Sequence, residues 1–196
     1  MKYLEDCLQK RLIFFTGKGG VGKSTLTWAT ALACQKQSKQ VIVAGWSPAG
    51  PSMPSPFPDS PVQRVPLETL ACFREYTLQV IRFESVYDTI FQNRVLRTFV
   101  MAAPGLSDTV IAGKIWDLYA KSDADLILVD LPSSGHAVSF FQSPLGVKKM
   151  FRVGFVHRET TNILNMFKER DVRIDLVAIP EELPLVECQQ LKGQLQ

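Results

Sequence analysis

The feature that most constrains this chain is a glycine-rich run, Gly17-Lys18-Gly19-Gly20-Val21-Gly22-Lys23-Ser24-Thr25. The run satisfies the pattern of a glycine, four residues and then Gly-Lys-Ser or Gly-Lys-Thr, which cradles phosphate groups. A short apolar run at residues 12–15 precedes it, and residues 23–37, rich in Ala and Leu, follow it with the composition of a helix. Strand, glycine loop and helix in this order predict a nucleotide-binding site.

Each residue type in the loop has a physical role in binding phosphate. The glycines let successive backbone N–H groups converge on phosphate oxygens, and the helix adds the positive end of its dipole. Lys23 is predicted to place its charge on the β- and γ-phosphates, and Ser24 to offer a hydroxyl to Mg²⁺. We therefore predict ATP or ADP and Mg²⁺ as cofactors, held by the residues of the loop: Gly17, Lys18, Gly19, Gly20, Val21, Gly22, Lys23, Ser24 and Thr25.

A second candidate site residue follows another apolar run. Residues 126–129 are typical of a buried strand, and Asp130 comes directly after them. A carboxylate at the end of a strand facing the phosphate loop is where a Mg²⁺-associated acid belongs. Ser24 and Asp130 are thus the predicted metal ligands.

The rest of the chain alternates between strand and helix patterns. Further strands are predicted at residues 41–44 and 174–179, and further helices at 85–103, 107–121, 160–168 and from 185 onward. A turn is expected at 133–135, and the seven prolines of residues 47–66 predict a long loop in place of a helix or a central strand. Alternating elements predict an α/β fold, a doubly wound, mostly parallel sheet with flanking helices, in one domain over residues 1–196.

Composition excludes several other classes of protein. The net charge of +3 is spread along 196 residues without a basic block, so nucleic acid is not an expected partner. No apolar run reaches the length of a membrane span and the N-terminus lacks the pattern of a signal peptide, so a cytoplasmic location is expected. The cysteines are expected to be free, buried thiols, since their spacing suits neither zinc nor a redox pair: Cys7, Cys34, Cys72 and Cys188.

The second lysine of the loop, Lys18, is not needed to cradle phosphate, and it brings in a family resemblance. The run at 17–25 resembles the deviant Walker A motif of the ATPases that include arsenite-pump subunits, tail-anchored-protein targeting factors, and septum-placement and plasmid-partition proteins. Val-Asp-Leu-Pro-Ser-Ser-Gly-His at 129–136 resembles the switch segment of the arsenite-pump and targeting branch. Residues 103–106 and 179–184 also resemble stretches of its bacterial members.

This resemblance implies a P-loop NTPase fold and a set of roles. Lys18 would reach the nucleotide of the other subunit in a homodimer, so the resemblance places Lys18 beside Lys23 and Asp130 among the catalytic residues. Gly135 would let the switch segment approach the γ-phosphate, whereas for His136 a functional role and an ordinary hydrogen-bonded histidine stay open. A protein cargo or a membrane-pump partner is implied, without evidence for arsenite. The apolar stripes of the helical segment 85–121 fit either core packing or a cargo groove.

Two departures from the family bear on catalysis and completeness. Ser47 stands where the family has the aspartate that orients the attacking water, and Asp59 is the acid nearest to it in the chain. The family's adenine-recognising segment would lie beyond Gln196, so a fragment incomplete at its C-terminus is expected. Three functions therefore compete. They are a dimeric switch ATPase with slow turnover, a nucleotide-binding sensor or scaffold with little or no hydrolysis, and a small-molecule kinase, against which Lys18 and the segment at 129–136 argue.

Overall fold

The structure is a computed structural model, and it describes residues 2–46, 57, 60–80 and 105–195. Its strands are β1 (Leu12–Thr16), β2 (Val41–Trp46), β3 (Gln63–Leu67), β4 (Leu126–Asp130) and β5 (Val172–Leu176). Its helices are α1 (Lys2–Leu8), α2 (Lys23–Gln35), α3 (Thr69–Val80), α4 (Leu106–Lys121), α5 (Ser134–Met150), α6 (Phe155–Met166) and α7 (Glu182–Leu195).

The strands form one parallel sheet in the order β3-β2-β4-β1-β5. Its centre is made of β4 and β1, which pair with Leu12 opposite Ile127 and Phe15 opposite Asp130. Because all strands run the same way, their carboxyl ends lie at one edge, and that edge carries both the glycine loop and Asp130. This confirms the predicted α/β fold with a parallel sheet.

Alternation along β1 explains why helices cover both faces of the sheet. Leu12 and Phe14 point into a core shared with α4, α5 and α6, whereas Ile13 and Phe15 point into a second core shared with α1 and α2. All four side chains are fully buried. A strand buried on both faces reads as a continuous apolar run, which is how this one is recognised in the sequence.

Several predicted boundaries differ from those in the structure. The loop predicted at 47–66 gives way to β3 from Gln63, which accommodates Pro66 because β3 lies at the edge of the sheet. The turn predicted at 133–135 is the start of α5, a helix that contains Pro144. The strand predicted at 174–179 spans Val172–Leu176, and the helix predicted at 160–168 spans Phe155–Met166. The last helix begins at Glu182 instead of 185.

Some of the predicted features lie in parts of the chain outside the described residues. The helix expected at 85–103, most of the Pro-rich loop, Ser47 and Asp59 all lie outside the described residues. Within the described part of the chain, no helix combines the length and apolar character that a bilayer span needs. Of the cysteines, Cys7, Cys34 and Cys72 are free and buried, and Cys188 is free and half-buried.

Candidate functional site

The glycine loop leaves β1 through a residue that only glycine can occupy. Gly17 has φ +147°, and a Cβ there would run into the backbone carbonyl of Val177. The amide of Val177 donates to the carbonyl of Thr16 at 2.7 Å, so the chain just after β5 is fixed against the end of β1. The missing side chain thus allows the loop to leave the sheet beside β5.

The same loop enters α2 through a left-handed residue. Gly22 precedes the helix with φ 88° and ψ 21°, and its carbonyl accepts from the amide of Leu26 at 2.9 Å. Having no side chain, Gly22 leaves the first N–H groups of α2 uncapped. Those N–H groups and the helix dipole therefore form a positive surface beside the loop, where an anion is favoured.

Lys23 lies in the first turn of α2 and turns back over the loop. Its Nζ donates to the carbonyl oxygen of Lys18 at 2.9 Å. Burial lowers the pKa of Lys23, and the charge of Asp130 opposes that shift. The amine is thus held within the loop and close to the carboxylate of Asp130 at the end of β4.

Ser24 and Asp130 meet across the gap between the loop and β4. The hydroxyl of Ser24 donates to Oδ2 of Asp130 at 2.5 Å. Asp130 is 6% exposed, and burial raises the pKa of its carboxyl, against the opposing effects of the Ser24 hydrogen bond and of Lys23. A hydroxyl and a carboxylate are the oxygen donors that Mg²⁺ takes from protein. The residues present therefore fit the predicted cation, and the structure brings together the pair named from the sequence.

Lys18 makes a contact that the sequence did not indicate. Its Nζ lies 2.9 Å from Oε1 of Glu187 on α7, and both side chains are more than a third exposed. A pair this exposed contributes little to stability, at most about 1 kcal/mol. Lys18 is thus tied to its own chain by a weak contact. Glu187 is the site-neighbouring residue that sequence reasoning missed.

The remaining predicted residues surround this centre. Val21 is buried, whereas Gly19, Gly20 and Thr25 are exposed on the loop and the start of α2. Gly135 and His136 are exposed in the first turn of α5. Among the described residues, neither makes a hydrogen bond to the loop, and the amide of His136 donates to the carbonyl of Ser133.

The segment between Asp130 and α5 is hydrogen-bonded to β1 at its first residue, Leu131. The amide of Leu131 donates to the carbonyl of Phe15 at 3.0 Å, and the Leu131 side chain is buried. Beyond it, Ser133 and Gly135 are exposed. Leu131 is thus fixed against β1, and the exposed residues that follow, up to His136, end where Ala137 is buried again in α5.

Comparison with known proteins agrees with this architecture. Residues 10–59 match the family model described as anion-transporting ATPase. ATPase BagA of Mycobacterium tuberculosis is 26% identical over 90% of this chain and 58% of its own length. The putative arsenical pump-driving ATPase 1 of Aquifex aeolicus is 26% identical over 70% of this chain and 39% of its own length.

The chain is also similar to a eukaryotic protein. The ATPase ASNA1 homolog of Plasmodium falciparum is 23% identical over 83% of this chain and 45% of its own length. The chain thus spans little more than half the length of the mycobacterial relative, and less of the other two. The family match over residues 10–59, these relatives and the parallel sheet with its glycine loop together confirm the resemblance of this chain to the anion-transporting ATPases, with an α/β P-loop NTPase fold.

Proposed function

We propose that this chain is the nucleotide-binding part of a Mg²⁺-dependent switch ATPase, which binds ATP, hydrolyses it slowly and couples the nucleotide state to a partner. The observation that carries the proposal is the contact of Ser24 with the buried Asp130, beside Lys23 and the uncapped start of α2. A positive helix end, an amine and a pair of oxygen donors around one loop match the needs of a nucleoside triphosphate.

The chain's own residues would divide the work of binding. The N–H groups of the loop and of the first turn of α2 would hold the phosphate oxygens. Lys23 would exchange the carbonyl of Lys18 for a phosphate oxygen, which is a better partner for a half-buried ammonium group. Ser24 and Asp130 would hold Mg²⁺, which when bound neutralises charge that develops on the transferred phosphoryl group.

The switch would lie in the segment that follows β4. Asp130 is fixed in the sheet, whereas Ser133 and Gly135 are exposed at the start of α5. A γ-phosphate beside the loop could order this segment through its backbone, and hydrolysis would release it. A change in the position of α5 would then transmit the nucleotide state to the partner. One of the relatives described above is named as a putative arsenical pump-driving ATPase. Here a membrane pump or a protein cargo is the proposed class of partner.

Dimerisation is proposed through Lys18. In the described chain Lys18 pairs with Glu187 at the surface, and the pair is weak enough to exchange. ATP between two copies would offer Lys18 a more highly charged partner than one carboxylate. The proposal therefore requires Lys18 to leave Glu187 when the homodimer forms.

Turnover is the point on which the two main alternatives differ. A positioned base contributes about 10²–10⁴ in rate, and Ser47 cannot act as one. If nothing replaces the missing carboxylate, the chain is a nucleotide-binding sensor with little or no hydrolysis. Asp59 is the proposed replacement, because it belongs to the same Pro-rich stretch of sequence.

The test is steady-state ATP hydrolysis beside a binding titration. We expect ATP binding with slow hydrolysis, and a higher turnover number for Ser47→Asp at nearly unchanged affinity, since that contact is made mainly in the transition state. Asp59→Asn should lower the residual rate. Binding without any hydrolysis, in both wild type and Ser47→Asp, would favour the sensor. A brisk rate insensitive to both substitutions would show that the base lies elsewhere.

A further inference from the structure

The turn between α5 and α6 carries exposed apolar side chains at its apex. Met150 is 78% exposed and Val153 is 83% exposed, and Phe151 between them is 46% exposed. In the described part of the chain, neither Met150 nor Val153 belongs to a hydrophobic core cluster, so packing does not account for their apolar character. Phe151 also lines an apolar cavity with Val147 and Val156. The exposed Met150 and Val153 beside it indicate a surface that is covered by something apolar.

Cations surround this apex. We use the name basic tip for residues 148–158, which contain four of the chain's positive side chains: Lys148, Lys149, Arg152 and Arg158. The sequence from 131 to 158 holds no Asp or Glu, so the tip has a formal charge of +4, whereas the whole chain has +3. The first acid beyond it, Glu159, is buried and lies 3.5 Å from Nε of Arg158.

The other cations of the tip remain available. Lys149 and Arg152 are exposed and Lys148 is half-buried, and none of the three makes a hydrogen bond or an ion pair with another described residue. Lys148 and Lys149 lie in the last turn of α5, where cations suit the helix dipole. That role does not account for Arg152, nor for the exposure of Met150 and Val153.

The turn is held in shape before any partner arrives. Nδ1 of His157 lies 2.9 Å from the carbonyl oxygen of Phe151, which ties the start of α6 to the end of α5. The amide of Phe151 donates to the carbonyl of Val147 at 3.0 Å. Gly154, with φ 88°, makes the reversal possible. The apolar apex is therefore preorganised, and binding need not order it.

From this placement we infer that the basic tip docks the protein onto the surface of an anionic lipid bilayer. Exposed aliphatic and aromatic side chains at a turn fit the boundary between headgroups and acyl chains, and long cationic side chains around them reach lipid phosphates. Nucleic acid would leave Met150 and Val153 exposed, since phosphate and sugar offer them no apolar surface. A protein partner would need an acidic rim around an apolar hollow, whereas a bilayer presents both chemistries without special shape.

The test is co-sedimentation of the chain with vesicles of equal parts phosphatidylcholine and phosphatidylglycerol, and with vesicles of phosphatidylcholine alone. We expect binding to the anionic vesicles that weakens as salt is added. Each cation near such a surface is worth about five-fold in affinity, so Lys148→Ala with Lys149→Ala should weaken binding by about 25-fold. Met150→Ser with Val153→Ser should weaken it at unchanged charge.

A matched control removes the same charge elsewhere. Lys36 and Lys168 are exposed and make no ion pair with another described residue, so the double alanine variant should bind nearly as well as wild type. Circular dichroism would establish that each variant is folded. The inference is overturned if wild type does not bind the anionic vesicles, which would leave a protein as the partner. It is also overturned if the control loses as much as the lysine pair, or if the serine pair binds like wild type.

Discussion

Replacing Gly17 by alanine tests whether the loop leaves the sheet as described. The new Cβ would overlap the carbonyl oxygen of Val177 and lie 3.1 Å from its carbon, and both atoms are backbone. That backbone cannot simply move, because the Val177 amide is bonded to Thr16 at 2.7 Å. The residue would also keep φ +147°, which alanine rarely adopts.

The expected loss is large relative to the stability of a small domain. A sparsely populated backbone conformation costs about 1–3 kcal/mol, and overpacking adds about 1–3 kcal/mol. Together they lower the free energy of unfolding by about 2–6 kcal/mol, out of the roughly 5–15 kcal/mol of a typical domain. Urea denaturation followed by circular dichroism would show this loss as a lower urea concentration at the midpoint of unfolding, with an unchanged m-value.

Gly19 provides the matched control in the same loop. It has no heavy atom within 4 Å of an added Cβ and no left-handed φ, so Gly19→Ala should change the free energy of unfolding by less than about 1 kcal/mol. If Gly17→Ala were as stable as Gly19→Ala, the close approach of the loop to Val177 would be wrong.

Three further outcomes follow from the described contacts. Burial raises the pKa of the Cys34 and Cys72 thiols from 9.0 to about 11, so the unfolded chain releases protons that the folded chain keeps. The free energy of unfolding should therefore fall as pH rises from 9 to 11, and urea titrations with a flat profile would contradict this. Glu187→Gln should leave stability unchanged and strengthen ATP-dependent dimerisation in sedimentation, because it frees Lys18, whereas weaker dimerisation would count against the proposed exchange. Phe14→Ala should lower the free energy of unfolding by about 3–5 kcal/mol in thermal or urea denaturation, because the fully buried ring packs on three other phenylalanines. A loss below about 1 kcal/mol would show that this core is loosely packed.

The parts of the fold that the sequence predicts well are those in which local pattern and burial agree. β1 and β4 are short apolar runs that end in a glycine loop and an aspartate, and both are central strands buried on two faces. Their parallel pairing brings Ser24 and Asp130 together, so this part of the candidate site could be named before its geometry was known. Such strands need no long-range information to be recognised.

Two of the elements that the sequence did not predict depend on their neighbours. β3 contains Pro66, which has no N–H to donate. The strand can form because its outer edge is unpaired in the described sheet. The sequence predicted only a turn at 133–135 where α5 begins, and Pro144 lies inside that helix. Packing on α4 and α6 keeps the helix, and Ser139 and Ser143 both donate to Asp108 on α4. These are cases in which tertiary contacts override local propensity.

Contacts between distant residues leave no trace in one sequence. Lys18 and Glu187 are 169 positions apart, and only the packing of α7 beside the loop reveals their pairing. The basic tip likewise could not be predicted from the sequence, because its charged and apolar residues indicate a binding surface only once the turn is known to be exposed. Chemistry carried by a contiguous motif is readable from sequence, whereas chemistry assembled by the fold is not.

The central claim, that the glycine loop binds nucleotide phosphates, is tested most directly by calorimetry of ATP with Mg²⁺ on wild type and on Lys23→Ala. The half-buried ammonium group of Lys23 would lose a charged hydrogen bond worth about 1.5–3 kcal/mol, so the variant should bind at least about ten-fold more weakly. Equal affinity of the two proteins for ATP would contradict the assignment of the loop.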